Sequence, residues 1–159
     1  MTEASLLLLL LGANGGPILA RYFLGERFNR AIDFGLTTAS GCPWLGSSKT
    51  YRGILASLLA STLLAPLLGY DWHFGLSVGA LAMVGDLLAS FAKRRLGLPP
   101  SSRAAGLDQI PESLLPLLYC GWILALSWKS VLLTTALFWV SEILLSRLLF
   151  RLGVRQQPY

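Results

Sequence analysis

Charged residues are scarce in this chain. Only 13% of its 159 residues are Asp, Glu, Lys or Arg, whereas 54% are hydrophobic, and the mean hydropathy is +0.61. A chain of this length cannot bury so much apolar surface in one water-soluble core. The chain has only two cysteines, Cys42 and Cys120. They have no second pair at zinc spacing, which argues against a disulfide or a metal cluster. The composition therefore indicates an integral membrane protein.

Several motifs of nucleotide and lipid enzymes are missing from the sequence. It has no P-loop GxxxxGK[ST], no D-G-x-x-A-R run typical of CDP-alcohol phosphotransferases and no D-D-x-x-D motif of prenyltransferases. Tandem repeats and low-complexity tracts are also absent. We therefore expect one membrane-embedded domain over residues 1–159, without the machinery of those three classes.

Long apolar runs predict an all-α fold with about five transmembrane helices. The runs cover residues 5–24, 51–69, 74–95, 113–129 and 130–149, each near the ~20 residues that a helix needs to cross hydrocarbon. The first run follows a segment without basic residues and continues past Pro17. It is therefore predicted to be a retained span and not a signal peptide.

The basic residues predict the orientation. Twelve of the thirteen Lys and Arg residues lie in or beside the first connection, the third connection and the tail, with Lys129 the exception. The positive-inside rule then puts the N-terminus outside, and the two long loops and the C-terminus in the cytoplasm. This distribution predicts a multi-pass protein of the cytoplasmic membrane. Its positive charge suits lipid headgroups and nucleotides and does not indicate nucleic-acid binding.

The segment GDLLASFAKRRLG, residues 85–97, places a carboxylate inside an apolar run. On a helix, Asp86, Ser90 and Lys93 fall at i, i+4 and i+7 and share one face. An ionisable residue at membrane depth is costly and usually functional. A carboxylate ligand for Mg²⁺ and a basic cluster for phosphate oxygens suit a metal-bound polyphosphate. The alternative is an Asp paired with a neighbouring helix and a basic run that only sets topology.

Two loops carry most of the remaining polar residues. Residues 31–53 are rich in Gly, Ser and Thr and contain Asp33, Lys49 and Arg52, which fits either an anion cradle or a flexible basic loop. Asp33 has the alternative of a turn residue that binds nearby backbone. In the second loop, Asp108 and Glu112 either cap the next helix or return to Asp86 and complete a carboxylate pair around a metal.

Three segments in order resemble one family. ANGGP, IDFGLTTASGCPWLGSSKTYRG and GDLLASFAKRRLGL followed by LDQIPE are similar to the CDP-archaeol synthase (CarS) family, small five-span relatives of phosphatidate cytidylyltransferase. The resemblance implies Mg²⁺-dependent transfer of CMP from CTP to a membrane lipid phosphate, of archaetidate or phosphatidate type, in phospholipid biosynthesis. Two departures are visible. The Pro-Gly-His-Gly-Gly element of the bacterial enzymes is missing, and Pro111 and Glu112 stand where the wider pattern has a second Asp.

The resemblance and the residue chemistry together predict a site. Lys93 and Arg94 would neutralise the β and γ phosphates, while Lys49 and Arg52 would hold CTP or the lipid phosphate. Glu142 is left outside, because Ser146 and Arg147 are close enough in sequence for a structural pairing. The alternative function is a non-catalytic membrane protein, a lipid-binding scaffold or a small transporter subunit. The predicted catalytic residues are Asp86, Lys93 and Asp108; the substrate-binding residues are Asn14, Asp33, Lys49, Arg52, Ser90 and Arg94; the Mg²⁺ ligands are Asp86, Asp108 and Glu112.

Overall fold

The computed structural model describes residues 2–39, 41–102 and 104–155. Within these ranges lie five helices, α1 (Thr2–Leu24), α2 (Tyr51–Leu67), α3 (Trp72–Arg95), α4 (Gln109–Ile123) and α5 (Trp128–Arg151). The described part of the first long loop adds two isolated antiparallel bridges, Ala31 with Thr50 and Thr37 with Pro43. The all-helical prediction is confirmed.

The helices differ in their capacity to cross a bilayer. By length and composition α1, α3 and α5 are long and apolar enough to span it. The 17 residues of α2 and the 15 of α4 extend about 25 Å and 22 Å at ~1.5 Å per residue, less than the ~30 Å hydrocarbon core. A stripe of leucines at every fourth position of α2 is exposed, as a lipid-facing surface requires: Leu55, Leu59, Leu63 and Leu67.

The predicted boundaries of the fourth span, 113–129, are wrong by four and six residues, whereas those of the fifth differ from the helix by two residues at each end. Helix α4 ends at Ile123 because Ala125 takes a left-handed conformation (φ 51°) and the Leu126 N–H donates back to the Gly121 carbonyl at 3.0 Å. Ser127 then caps α5 by accepting from the Ser130 N–H at 3.1 Å. At its other end α4 starts at Gln109, four residues before the prediction. Pro111 is tolerated there because the first turn of a helix has no intrahelical partner for its N–H groups.

Helix α3 is the centre of the bundle and contacts α1, α2 and α4. Small residues allow these close approaches, as is common between membrane helices. Gly75 lies against Ser61 and Ala65 of α2, and Gly85 lies against the Pro111 carbonyl of α4. A Cβ atom added to Gly85 would lie 2.6 Å from the Glu112 Cα atom. The next residue, Asp86, is thereby held beside the first turn of α4.

The apolar core lies at the opposite end of the bundle from the two long loops. It is built from almost fully buried side chains of all five helices, among them Leu6, Leu9, Ala65, Val78, Leu117 and Phe138. At this end the Ser130 hydroxyl of α5 donates to the Glu3 carboxylate of α1 at 3.1 Å. Apolar packing therefore holds the helices together at the Glu3 end of the bundle, and polar side chains can occupy the loop end.

Candidate active site

A cavity of about 580 Å³ opens at the loop end of the bundle. Its wall on α3 and α4 is mainly polar, and its wall on α1 and α5 combines aliphatic side chains with Asn14, Arg21, Glu142 and Ser146. Eight of the ten sequence-predicted site residues line it, and they come from α1, the first long loop, α3 and the segment around the start of α4. They are Asn14, Lys49, Asp86, Ser90, Lys93, Arg94, Asp108 and Glu112.

Asp86 is paired with Lys49. The Lys49 Nζ atom lies 2.6 Å from each carboxylate oxygen of Asp86, and the two side chains are 20% and 25% exposed. Lys49 directly precedes the Thr50 cap of α2, and its carbonyl accepts from the Ile32 N–H at 2.9 Å. The first long loop is therefore anchored so that its lysine neutralises the carboxylate of α3.

Asp108 is paired with Lys93 in a second contact of the same kind. The Lys93 Nζ atom lies 2.5 Å from Asp108 Oδ1 and also donates to the Ser102 carbonyl at 3.0 Å. Asp108 Oδ2 accepts from the Ala104 N–H at 2.9 Å, and its side chain makes no capping bond to α4. These contacts therefore contradict the alternative in which the Asp108 side chain caps α4. The loop folds over the end of α3 and returns Asp108 to the cavity that Asp86 lines.

Arg94 reaches the cavity with unused donors. Its side chain is only 3% exposed, and its Nη2 group donates to the Pro99 carbonyl at 2.7 Å. Its Nε and Nη1 atoms are buried without a hydrogen-bond partner in the described part of the protein. Leaving such donors unsatisfied is costly. An anionic group in the cavity would remove that cost.

The carboxylates of the cavity fit a divalent cation in their chemistry. Glu112 is 7% exposed, and its carboxylate makes no hydrogen bond or ion pair to another described residue. The described residues contain no cluster of three His, Cys, Asp or Glu side chains that would by itself enclose a metal. Mg²⁺ does not need one, since it commonly uses one or two carboxylates together with substrate phosphates and water. The residues that would contribute to such an oxygen set are Asp86 and Asp108, with Glu112 on the adjacent first turn of α4.

Two other predicted residues lie outside this cavity. Arg52 Nη1 donates to the carbonyls of Gly25 and Arg27 at 2.7 and 2.6 Å, which ties the end of α1 to the start of α2. These contacts support a structural role, and its assignment to substrate stays a prediction.

Asp33 organises the first long loop. Its carboxylate accepts backbone N–H groups from Gly35 at 3.1 Å and from Leu45 and Gly46 at 2.9 Å each. Burial alone would raise the pKa of Asp33, but these donations outweigh it and the pKa lies below its ordinary value. These contacts agree with the alternative in which Asp33 is a turn residue that binds nearby backbone. A substrate role for Asp33 stays a prediction.

The lining also contains polar residues that the sequence analysis did not select. Glu142 faces the cavity with its Oε2 atom buried and unpartnered in the described structure, and Arg147 is exposed elsewhere. The structural pairing of Glu142 with Arg147 or Ser146 is therefore wrong. Ser146 instead receives a hydrogen bond from Arg155, nine residues later. The available clue was the carboxylate within an apolar span, the same clue that selected Asp86.

Comparison with known proteins places the chain in a family. The model of the CarS-like family, CDP-archaeol synthase, matches residues 69–159. CDP-archaeol synthase from Pyrococcus furiosus is 41% identical over 109 residues, which cover 61% of this chain and 60% of that protein. Its counterpart from Thermofilum pendens is 32% identical over 155 residues, covering 92% of this chain and 75% of the relative. The counterpart from Sulfurisphaera tokodaii is 34% identical, with coverage of 80% and 81%.

A solved structure agrees with the sequence relatives. This structure, of an intramembrane enzyme for archaeal membrane lipid biosynthesis, superposes with a TM-score of 0.71 at 26% identity and covers 87% of this chain and 89% of its own. The resemblance inferred from the three sequence segments is confirmed. With a family model over more than half of its residues and relatives above 30% identity that match at least 80% of its length, the chain belongs to the CDP-archaeol synthase family of membrane-embedded nucleotidyltransferases.

Proposed function

We propose that this protein transfers CMP from CTP to a membrane lipid phosphate, giving a CDP-lipid and pyrophosphate. The observation that carries the proposal is the single cavity in which Asp86, Asp108 and Glu112 meet Lys49, Lys93 and Arg94. An archaetidate-type acceptor is favoured, because the relatives are CDP-archaeol synthases. The chain would act as one membrane domain.

The reaction asks the protein mainly for positioning and charge. An oxygen of the lipid phosphate attacks the α-phosphorus of CTP, and the bond to the β-phosphate breaks as pyrophosphate leaves. Asp86 and Asp108, helped by Glu112, would hold Mg²⁺, which when bound supplies Lewis-acid polarisation of the triphosphate. Lys93 and the unpartnered donors of Arg94 would neutralise charge on the leaving group.

Two further side chains would orient the substrates. Ser90 is buried one turn after Asp86 on the same helix face, so its hydroxyl can donate to a bound oxygen. Asn14 lines the cavity from α1, where its amide donates to the Leu10 carbonyl at 3.1 Å. Its amide oxygen is left to accept from a substrate hydroxyl or amine.

The proposed orientation gives CTP direct access. The cavity is lined by Ser48 and Lys49 of the first long loop and by Ser101 and Ser102 of the second. The distribution of basic residues supports a cytoplasmic position for both loops. The site would then face the compartment that contains the nucleotide, while the lipid arrives from the bilayer.

The deciding experiment is a turnover assay with purified protein. Labelled CTP and Mg²⁺ are incubated in mixed micelles with an archaetidate-type ether lipid phosphate, a phosphatidate or a prenyl phosphate, and the CDP-lipid is separated by thin-layer chromatography. We expect product with the ether lipid phosphate, and none after chelation of the metal or with Asp86→Asn. Product with phosphatidate alone would refute the archaetidate assignment. Folded protein that retains lipid and yields no CDP-lipid with any acceptor would indicate the non-catalytic scaffold instead.

A further inference from the structure

The apolar wall of the cavity is formed by aliphatic side chains of α1 and α5. Helices α1 and α5 are joined at the far end by the hydrogen bond between Ser130 and Glu3. At the loop end, Ile18 of α1 and Ile143 and Leu149 of α5 line the cavity. This side of the cavity presents these aliphatic side chains together with Arg21 and Glu142, whereas the side on α3 and α4 presents mainly polar and charged groups.

The chain after α5 folds back over this apolar wall. Gly153 takes a left-handed conformation (φ 72°), and the Val154 and Arg155 N–H groups donate to the Leu149 carbonyl at 2.9 and 3.2 Å. Arg155 Nη1 then donates to the hydroxyl of Ser146 at 2.5 Å, and Ser146 is only 3% exposed. The backbone turn and the serine together hold the guanidinium at the cavity.

Arg155 differs from the lysines of the site in its electrostatic surroundings. Lys49 and Lys93 each lie against a carboxylate, whereas Arg155 forms no ion pair within 4.0 Å among the described residues and interacts with Glu142 only at longer range. Its contact with Ser146 uses one of the five N–H donors of a guanidinium. The fork of donors matches two oxygens of a phosphate. The residue is therefore a cation with spare donors that lines the cavity near aliphatic side chains of α5.

We infer that Arg155 and Ser146 form the subsite for the phosphate of the acceptor lipid. A lipid phosphate is an anion on a hydrocarbon stem, and at Arg155 the cavity offers a fork of N–H donors close to aliphatic side chains of α5. The inference rests on the proposed cytidylyl transfer, because that reaction requires such an acceptor. It also supplies the acceptor contact that Arg52, outside the cavity, does not make.

Kinetics with the two substrates varied separately test the subsite. Arg155→Ala should raise the KM for the lipid phosphate roughly ten- to a hundredfold, with the KM for CTP changed by less than about twofold. Arg155→Lys keeps the charge and loses the fork of donors, so its KM for the lipid phosphate should lie between the values of wild type and Arg155→Ala. Arg147→Ala is the matched control, because this arginine is exposed on α5, eight residues before Arg155, and does not line the cavity. An unchanged lipid KM in Arg155→Ala, or equal impairment toward both substrates, would overturn the inference.

A binding measurement separates failure of the subsite from failure of the proposed reaction. Purified wild type and Arg155→Ala, matched for elution volume and melting temperature, are incubated without CTP in micelles with the ether lipid phosphate or the corresponding alcohol. Wild type should retain the phosphate in preference to the alcohol, and Arg155→Ala should lose that preference. If wild type makes no CDP-lipid but shows the preference and the variant loses it, the reaction is wrong and the subsite is right. If both proteins retain the two lipids equally, the subsite is wrong.

Discussion

The contact between Gly85 and α4 should control activity more strongly than stability. In Gly85→Ala the new methyl group would meet the Pro111 carbonyl and lie 2.6 Å from the Glu112 Cα atom, both of which are backbone and cannot rotate away. Helices α3 and α4 must then separate or shift. Because Asp86 follows Gly85 directly and Glu112 lies on α4, the shift changes the distances among the carboxylates of the cavity.

The expected magnitudes follow from this geometry. Overpacking of a close contact costs about 1–3 kcal/mol, partly offset by the ~1 kcal/mol that Ala gains over Gly in a helix. We therefore expect a net loss of about 0–2 kcal/mol in the free energy of unfolding. A displacement near 1 Å at reacting groups can cost about a hundredfold in rate. The loss of kcat should thus exceed what the modest loss of stability would suggest.

Gly75→Ala is the matched control for this prediction. Gly75 lies on the same helix about 15 Å from Gly85 along its axis, at ~1.5 Å per residue, and its added methyl would meet Ala65 Cβ at 2.5 Å on α2. Melting in detergent and CDP-lipid formation should be measured for both variants. We expect comparable destabilisation and a large rate loss in Gly85→Ala alone. Equal rate losses, or near-normal turnover in Gly85→Ala, would refute the argument that this contact sets the carboxylate geometry.

Three further predictions concern single side chains. Asp86→Asn should lower CMP transfer at least about a hundredfold while the protein stays extractable in mild detergent, since it removes a proposed Mg²⁺ ligand; near-normal turnover would contradict the metal assignment. Asp33→Ala should lower the free energy of unfolding by about 1–3 kcal/mol at neutral pH, because three N–H groups lose their acceptor. The pKa of Asp33 is lowered from 3.8, so the wild-type advantage should be complete above that value and disappear as the pH falls below it; a pH-independent difference in melting would argue against this. Cys42 should resist an impermeant thiol reagent in intact cells and react after lysis, with buried Cys120 as the unreactive control; rapid labelling in intact cells would reverse the orientation.

Helical periodicity was sufficient to predict the α3 wall of the site. Asp86, Ser90 and Lys93 share one face because their spacing follows the turn of a helix, and all three line the cavity. The partners of these residues were less accessible to sequence reasoning. Lys49 meets Asp86 across 37 positions of the chain, and such a contact depends on how α2 and α3 pack.

The direction of a basic side chain near a helix end was the least predictable feature. Arg52 and Arg155 both lie beside helix termini in basic segments, yet one binds the carbonyls of Gly25 and Arg27 and the other reaches the cavity. The first outcome depends on the conformation of residues 25–27. The second depends on the left-handed Gly153. The end of α4 was missed for a related reason, because alanine rarely adopts the positive φ found at Ala125.

The two lysine–carboxylate pairs mean that the cavity carries its counterions as part of the polypeptide. An exposed basic groove is neutralised by dissolved anions, and a polyphosphate that binds there displaces them. Here Asp86 and Asp108 already occupy that position on Lys49 and Lys93. A metal–nucleotide complex brings both signs of charge, so the cation can take over the carboxylates while the phosphates take over the lysines. Nucleotide binding would then be an exchange of partners with little net transfer of charge, which suits a site built at the edge of a medium that solvates ions poorly.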